Sequence, residues 1–425
     1  MRRSFLALWF VCCTPLVAQT IAIRAGNLVD PANGTAAKDQ IILVEGGKIK
    51  SVGPGVVIPQ GATVVDLSNE WVMPGLMDAH THVTLTEIPG KATFEAIYLQ
   101  QSTASRALWG LRTAQIILAA GFTTVRDVGN EANYACHDLR NAIHDGWFDG
   151  PTIQCAGKII APFGGQSGRF SIEQGPFWRF EYIDADTPEE IIKAVRENIY
   201  YGSDVIKLAA DNSPYNYSED DIRVAVQEAH RAGRAVAVHV YGGAAADNVI
   251  RGGADSVEHG YFLTDTQLQL MKEKGTFLVG TDHPAAQIEA LSPSEDAGHI
   301  GGSSHANAVE LARKITDRLR RAHNIGVKMA FGSDTVTDAP NRTRADLMLD
   351  YMAVWREAGV PPAEILKCMT TNPAELLRIS KQRGAIAEGL AADIIAMPAN
   401  PLGDIESLRK VNFVMKDGKV VRAPK

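Results

Sequence analysis

A chain of 425 residues is too long for one small domain and suits one large barrel with an accessory layer. Hydrophobic residues make up 45% of it, ample for a packed core. The net charge of −7 is dispersed, with neither a basic stripe nor interleaved aromatic and basic residues, which argues against nucleic acid as a partner.

Residues 1–19 read as a secretory signal peptide. Arg2 and Arg3 form a positive start, 5–13 form an apolar stretch too short to span a bilayer, and Pro15 breaks it before Val17-Ala18-Gln19-Thr20. Cleavage would place the mature chain in the periplasm or outside the cell, with no stable membrane insertion; a retained anchor is the alternative. Cys12 and Cys13 leave with the signal. Cys136, Cys155 and Cys368 are too widely spaced for a zinc-thiolate motif and read as buried small apolar side chains.

Short strands follow. Ile41-Ile42-Leu43-Val44 and Lys48-Ile49-Lys50-Ser51-Val52 flank Glu45-Gly46-Gly47, a hairpin signal. Near the other end, Asp393-Ile394-Ile395-Ala396-Met397 and Val411-Asn412-Phe413-Val414-Met415 have the same character, and Lys416-Asp417-Gly418-Lys419 is a tight turn. Residues 20–73 and 384–425 are therefore expected to assemble one small β domain around residues 74–383.

That middle alternates strand and helix. Short apolar runs at 75–79, 123–128, 152–156, 204–208, 235–239, 256–259, 276–279 and 328–331 give eight strands, with helical stretches such as 104–120, 188–200, 219–232 and 306–324 between them. Glycines at 121, 202, 233 and 326 sit near helix C-termini. The count predicts an α/β fold with a (β/α)₈ barrel; an open doubly wound sheet is the alternative, but it leaves the positions of the polar residues unexplained.

Those polar residues fall at strand ends. His80 and His82 are spaced i, i+2 on an extended segment, so their side chains share one side. Lys207 lies inside Val205-Ile206-Lys207-Leu208-Ala209, His239 and His259 close two further strands, and Asp334 follows Phe331-Gly332-Ser333. Imidazole with carboxylate and no thiolate suits a borderline divalent ion such as Zn²⁺, and four histidines with an aspartate suffice for two ions if something bridges them. An ammonium buried beside cations is costly, so Lys207 is expected to be neutral at lower pH than an ordinary lysine and able to add CO₂ as a bridging carbamate. An unmodified Lys207 in a one-metal enzyme is the alternative.

The stretch Met73-Pro74-Gly75-Leu76-Met77-Asp78-Ala79-His80-Thr81-His82 resembles the opening metal motif of the amidohydrolase superfamily. The later lysine, the two histidines and Gly332-Ser333-Asp334 follow that superfamily's order, and 370–377 and 384–393 resemble its closing segments. Val238-His239-Val240-Tyr241-Gly242 and Ser256-Val257-Glu258-His259-Gly260 are similar to the Xaa-Pro dipeptidase (prolidase-like) and imidazolonepropionase-related branch, which includes N-acyl amino acid hydrolases and ochratoxin-type amidases. The resemblance implies that His80, His82 and Asp334 bind a more buried ion and His239 and His259 a more exposed one. Carboxylated Lys207 would bridge them, a hydroxide between the ions would attack, and Asp334 would carry the proton. It also implies Tyr241 as a substrate-binding residue beside the scissile carbonyl, a dipeptide or small amide as substrate, and a homo-oligomer.

One departure stands out. Relatives often carry Gly-Gly-His-Gly where this chain has Gly164-Gly165-Gln166-Ser167-Gly168, so Gln166 and the nearby Arg169 become substrate-contact candidates without the histidine. His283, after the seventh predicted strand, is another. His137, His230 and His323 read as structural, and Asp127 as an orienter of loops. Aromatic residues at 163, 170, 177, 178, 180 and 182 cluster in one loop and predict an apolar or aromatic side chain on the substrate. The competing functions are a cyclic-amide hydrolase of the imidazolonepropionase type and an inactive barrel kept for binding, which would have lost a ligand.

Overall fold

The computed structural model describes residues 20–87, 94–166, 171–211, 215–290, 305–339 and 341–424. The signal-peptide segment 1–19 and Arg169 lie outside them.

The chain opens with β1 (Ile21–Asp30), β2 (Thr35–Glu45), β3 (Lys48–Gly53) and β4 (Thr63–Pro74). The middle contributes β5 (Leu76–Thr81), β6 (Phe122–Asp127), β7 (Thr152–Cys155), β8 (Ile159–Ala161) and β9 (Tyr182–Asp184). It continues with β10 (Val205–Ala209), β11 (Ala235–Gly242), β12 (Ser256–Phe262) and β13 (Phe277–Val279). The chain closes with β14 (Ile394–Met397), β15 (Phe413–Lys416) and β16 (Lys419–Arg422).

Both ends of the chain share one seven-stranded sheet in the order β16-β15-β14-β4-β1-β2-β3. β14 runs antiparallel to β4, with Val72 opposite Ala396, while β1 runs parallel to β4. Apolar residues from both ends, among them Ile23, Ile42, Val72, Ile394, Phe413 and Met415, pack into one cluster. Burying that apolar face is what joins two segments that no local turn could bring together.

The middle strands are parallel and buried on both faces, which is why β10 and most of β11 read as near-continuous apolar runs, while β5, β6 and β12 bury polar residues among their apolar ones. They pair as a six-stranded sheet, β13-β12-β11-β10-β8-β9, and a three-stranded sheet, β5-β6-β7. The eight-strand expectation is corrected in two places. Segment 328–331 forms no strand ladder; it is extended and makes a single bridge, Met329 to Leu278. Its backbone is nevertheless spent on both neighbours, with Leu278 N–H donating to Lys328 O (2.8 Å) and Ala79 N–H to Phe331 O (2.8 Å). In addition, β8 and β9 were not foreseen, because three-residue strands are too short for periodicity to show.

The helices agree closely with the pattern. Pro188–Tyr200 starts from a Thr187/Glu190 capping box and Glu219–Arg231 from Ser218/Asp221. Gly202 and Gly233, just past their ends, have φ of 95° and 72°, a left-handed turn that frees the chain to enter the next strand. No helix among the described residues is long and apolar enough to cross a membrane.

Candidate metal centre

The predicted donors meet at the C-terminal ends of the middle strands. His80 comes from β5, Lys207 from β10, His239 from β11 and His259 from β12, all at most 5% exposed. Asp334 sits among them. Its Oδ1 lies 3.2 Å from His82 Nε2 and 3.6 Å from His80 Nε2, and its Oδ2 lies 3.7 Å from His259 Nδ1 and 3.8 Å from His283 Nε2. The His239 and His259 rings are 4.4 Å apart, and the His80 and His259 rings 4.9 Å. His80, His259 and Asp334 offer donor atoms that all fall within 4.8 Å of one another.

The backbone is bent to achieve this. His259, Thr281 and Asp334 have φ of 67°, 42° and 49°, positions that β-branched and bulky residues rarely take. Strain of this kind costs about 1–3 kcal/mol per residue and persists where surroundings over-determine it. At Asp334 the surroundings are visible: its N–H donates to His80 O (2.8 Å), while Asp78 accepts from His80 N–H (2.9 Å) and Ser333 N–H (3.1 Å). Gly332 makes room beneath, since a Cβ there would lie 2.4 Å from Val279 Cγ1 and 2.7 Å from His80 Cβ. A Gly332→Ala variant is expected to lose roughly 1–3 kcal/mol of stability by overpacking, and to push His80 off its position. Chemical melts alongside metal titration check this, and a variant that melts and titrates like the parent would refute it.

Each imidazole has one nitrogen held by another group. His80 Nδ1 bonds Glu258 Oε2 (2.7 Å), His82 Nδ1 bonds Gly129 O (2.8 Å), and His259 Nδ1 bonds Thr281 Oγ1 (2.8 Å). His239 Nε2 lies 3.5 Å from Asp211 Oδ1. For His80, His82 and His259 this fixes the tautomer, as in metal sites, whereas His239 has Gln166 Nε2 3.3 Å from its Nδ1 and 3.4 Å from its Nε2. Burial, then Lys207, drives His80 down to about 4 and His239 well below the ordinary histidine range; burial and His239 do the same for His259. Neutral imidazole is the ligating form. Burial alone would raise Asp334, but His80, His283 and His82 outweigh it and hold the carboxyl well below its usual value. The Lys207 ammonium helps to lower His80, His239 and His259 and to keep the Glu258 carboxylate ionised. His82 runs the other way: burial opposes its charge, but the hydrogen bond and charge of Asp334 outweigh that and raise it above the ordinary histidine value. Imidazoles, an ionised carboxylate and no thiol fit a borderline divalent cation.

Among the remaining predicted residues, Tyr241 packs edge-on to His239 (4.6 Å) and stacks on Tyr261 (5.2 Å). Gln166 places Nε2 3.3 Å from His239 Nδ1. His283 bonds the Tyr351 hydroxyl and faces Asp334, so it belongs to the centre more closely than a mouth residue would. Asp127, as expected, orients loops: its carboxylate accepts from Val83 N–H (2.5 Å) and Gly129 N–H (3.1 Å). Sequence reasoning missed Glu258, Asp211, Thr281 and Tyr351. A second buried group, Glu131, His137 and Cys155, also brings donor atoms together, yet His137 is bonded by Glu131 (2.9 Å) and Ser203 (3.3 Å) and Glu131 by Gly157 N–H (2.7 Å). Its groups satisfy one another, and His137 is structural.

Parallel strands that gather imidazoles, a lysine and an aspartate at their C-terminal ends define the strand-end hydrolase class. Within it, the chain belongs to the amidohydrolase family, which it matches over residues 71–421. It is similar to an ochratoxinase of Aspergillus niger, 29% identical over 96% of this chain and 88% of that one. Among solved structures it is similar to an Xaa-Pro dipeptidase with methionine bound in its active site, with TM-score 0.82, 28% identity, and coverage of 95% of this chain and all of the other. The A. niger ochratoxinase structure gives TM-score 0.79 and 26% identity over 96% of each chain. The membership and these neighbours place the chain in the prolidase and ochratoxinase branch.

Proposed function

We propose that this chain is a metal-dependent hydrolase of the amide bond in dipeptides or N-acyl amino acids, working outside the cytoplasm. The observation that carries the reading is the convergence of His80, His82, His259 and His283 on Asp334, with one nitrogen of each of His80, His82 and His259 already held by another group. The ochratoxinase and the Xaa-Pro dipeptidase among its relatives support an amide or peptide substrate. We further infer that β5, β6, β7, β10, β11, β12, β13 and segment 328–331 form one eight-stranded barrel, with β8 and β9 added beside β10. Backbone bonds from Ala79 to Phe331 and from Asp204 to Cys155 (2.9 Å) join them on both sides. The 1–19 pattern supports export.

In this reading His80, His82 and Asp334 would hold one ion and His239 and His259 another, with Lys207, as its CO₂ adduct, a further candidate ligand. When bound, a pair of divalent ions, zinc on the donor chemistry, lowers the pKa of water and polarises a carbonyl. The residues do the rest. Asp334 takes the proton from the attacking water and hands it to the leaving amine, for which its ionised carboxylate and its place among four imidazoles suit it. Tyr241 and Gln166, both against His239, border the place of the scissile carbonyl. A barrel kept only for binding would tolerate loss of a donor, and every donor is present.

The test is metal content of purified mature protein together with hydrolysis of a panel of dipeptides and N-acyl amino acids. About two ions per chain and chelator-sensitive cleavage are expected; metal-free protein that cleaves the panel equally well would overturn the reading.

The apolar wall supports an aromatic or large apolar substrate side chain. Phe163 (64% exposed) stands edge-on to Trp178 at 5.6 Å, Phe177 packs on Trp178 at 5.5 Å, and the cluster includes Ala209, two residues beyond Lys207. Trp178→Ala is expected to raise KM for aromatic substrates about 10- to 200-fold relative to small ones. Steady-state kinetics on matched substrates decides, and equal KM values in both enzymes would remove the wall from the specificity account.

A further inference from the structure

At the opposite end of the strands, where they begin, a cavity of about 890 Å³ opens between the parallel sheets and the hairpin of the terminal sheet. Asp204, just before β10, and Gly233, Arg234 and Ala235, at the start of β11, form part of its wall. Most of its cations are already neutralised. Arg140 pairs with Asp204 (2.5 Å), Arg378 with Asp255 (3.0 Å), Lys419 with Asp149 (2.7 Å), Arg383 with Asp417 (3.2 Å), and Lys416 with Asp393 (3.2 Å).

Arg234 differs. Its Nε is shut off from solvent without a hydrogen-bond partner, and no carboxylate among the described residues pairs with its guanidinium. The Nε is closed to a ligand as it is to water, so a ligand in the cavity meets the two outer nitrogens of the guanidinium. A guanidinium presents a planar fork that fits a carboxylate through two parallel bonds. Apolar side chains from Ile143, Phe148, Ile153, Leu377 and Ile379 line the same cavity. One unmatched cation beside an apolar wall selects a single negative charge on an apolar body.

We propose that this cavity binds a small monocarboxylate with an apolar or aromatic body, held by Arg234. The site lies apart from the metal centre but shares its strands: Arg234 immediately precedes β11, which carries His239 and Tyr241, and Asp204 immediately precedes β10, which carries Lys207.

Calorimetric titration of benzoate into the full-length protein tests this, with inorganic phosphate and benzyl alcohol as controls. Carboxylates also bind metal centres, so the same titration is run on Lys207→Ala as well as Arg234→Gln, with folding of each checked by circular dichroism. Benzoate binding that survives in Lys207→Ala, weakens at least about tenfold in Arg234→Gln and exceeds that of both controls is expected. A Phe148→Ala variant, which leaves the charge alone, should also weaken it. Failure of the parent to bind benzoate, binding indifferent to Arg234, binding lost in Lys207→Ala, or phosphate binding as tightly as benzoate would each overturn the proposal. If Arg234→Gln does not fold, Arg234→Lys, which keeps the charge and removes the fork, gives the same comparison.

Discussion

Asp334→Asn is expected to slow amide hydrolysis about 10²- to 10⁴-fold, with KM much less affected. Asparagine keeps the shape and one oxygen, so contacts at 3.2 Å to His82 and 3.6 Å to His80 are retained in outline, but it can neither take up nor carry the proton. The carboxyl is held ionised by His80, His283 and His82 against its own burial, and it faces four imidazoles. Loss of metal is the competing cause of a slow variant, so elemental analysis accompanies the kinetics. A variant that keeps its metal and turns over within tenfold of the parent would dismiss Asp334 as the proton carrier.

The second large effect is expected at a residue that touches no substrate. Glu258 is fully buried; one oxygen accepts from His80 Nδ1–H (2.7 Å), while the other takes Arg126 (2.8 Å) and the Ser256 hydroxyl. Glu258→Gln turns one of these acceptors into a donor facing a donor and leaves the Arg126 charge without its partner. Breaking a buried pair costs about 3–5 kcal/mol, and loss of a carboxylate behind a ligating histidine weakens metal binding about 10- to 100-fold. Urea melts and chelator competition read the two separately. Burial opposes ionisation of Glu258, but Arg126 and His80 bring its carboxyl to about 2 against an ordinary 4.5. A lowered folded-state pKa stabilises above the unfolded value and is lost as pH falls. In chelator-stripped protein, then, the stability gap between parent and variant should be full above about pH 4.5 and shrink toward pH 2. A gap that does not change over that window would mean that the Glu258 charge is not what stabilises the parent.

The sequence shows those parts of the molecule whose logic is local. β5, β6 and β10 to β12 fall where apolar runs put them, and the ligands fall at their ends because strand direction decides which end a residue occupies. The pairing of the two chain ends was also legible, from matching hairpin turns at Gly46-Gly47 and Asp417-Gly418. What was hidden depends on contacts distant in sequence. Glu258 and His80 are 178 residues apart, and neighbours on a strand ordinarily face opposite ways, so Glu258 beside His259 looked like a residue turned from the site. The φ of 67° at His259 breaks that alternation and lets both serve the centre. Asp211 and Tyr351 were silent for a similar reason: each acts through a histidine brought by another element. Segment 328–331 looked like a strand because it is apolar and extended, yet its backbone bonds to several partners instead of running a ladder with one.

The seven-stranded sheet has a consequence for the order of events when the protein is made. β4 is complete once residue 74 has been synthesised, but the strand that covers its free edge, β14, begins at residue 394. At about 5–20 residues per second, that edge waits tens of seconds for its partner. During the wait the N-terminal strands offer unpaired N–H and C=O groups to any neighbouring chain. The terminal sheet therefore reaches its native topology only after the last strands emerge. A chain that ends before residue 394 carries every predicted donor yet leaves the β4 edge open, a product expected to aggregate.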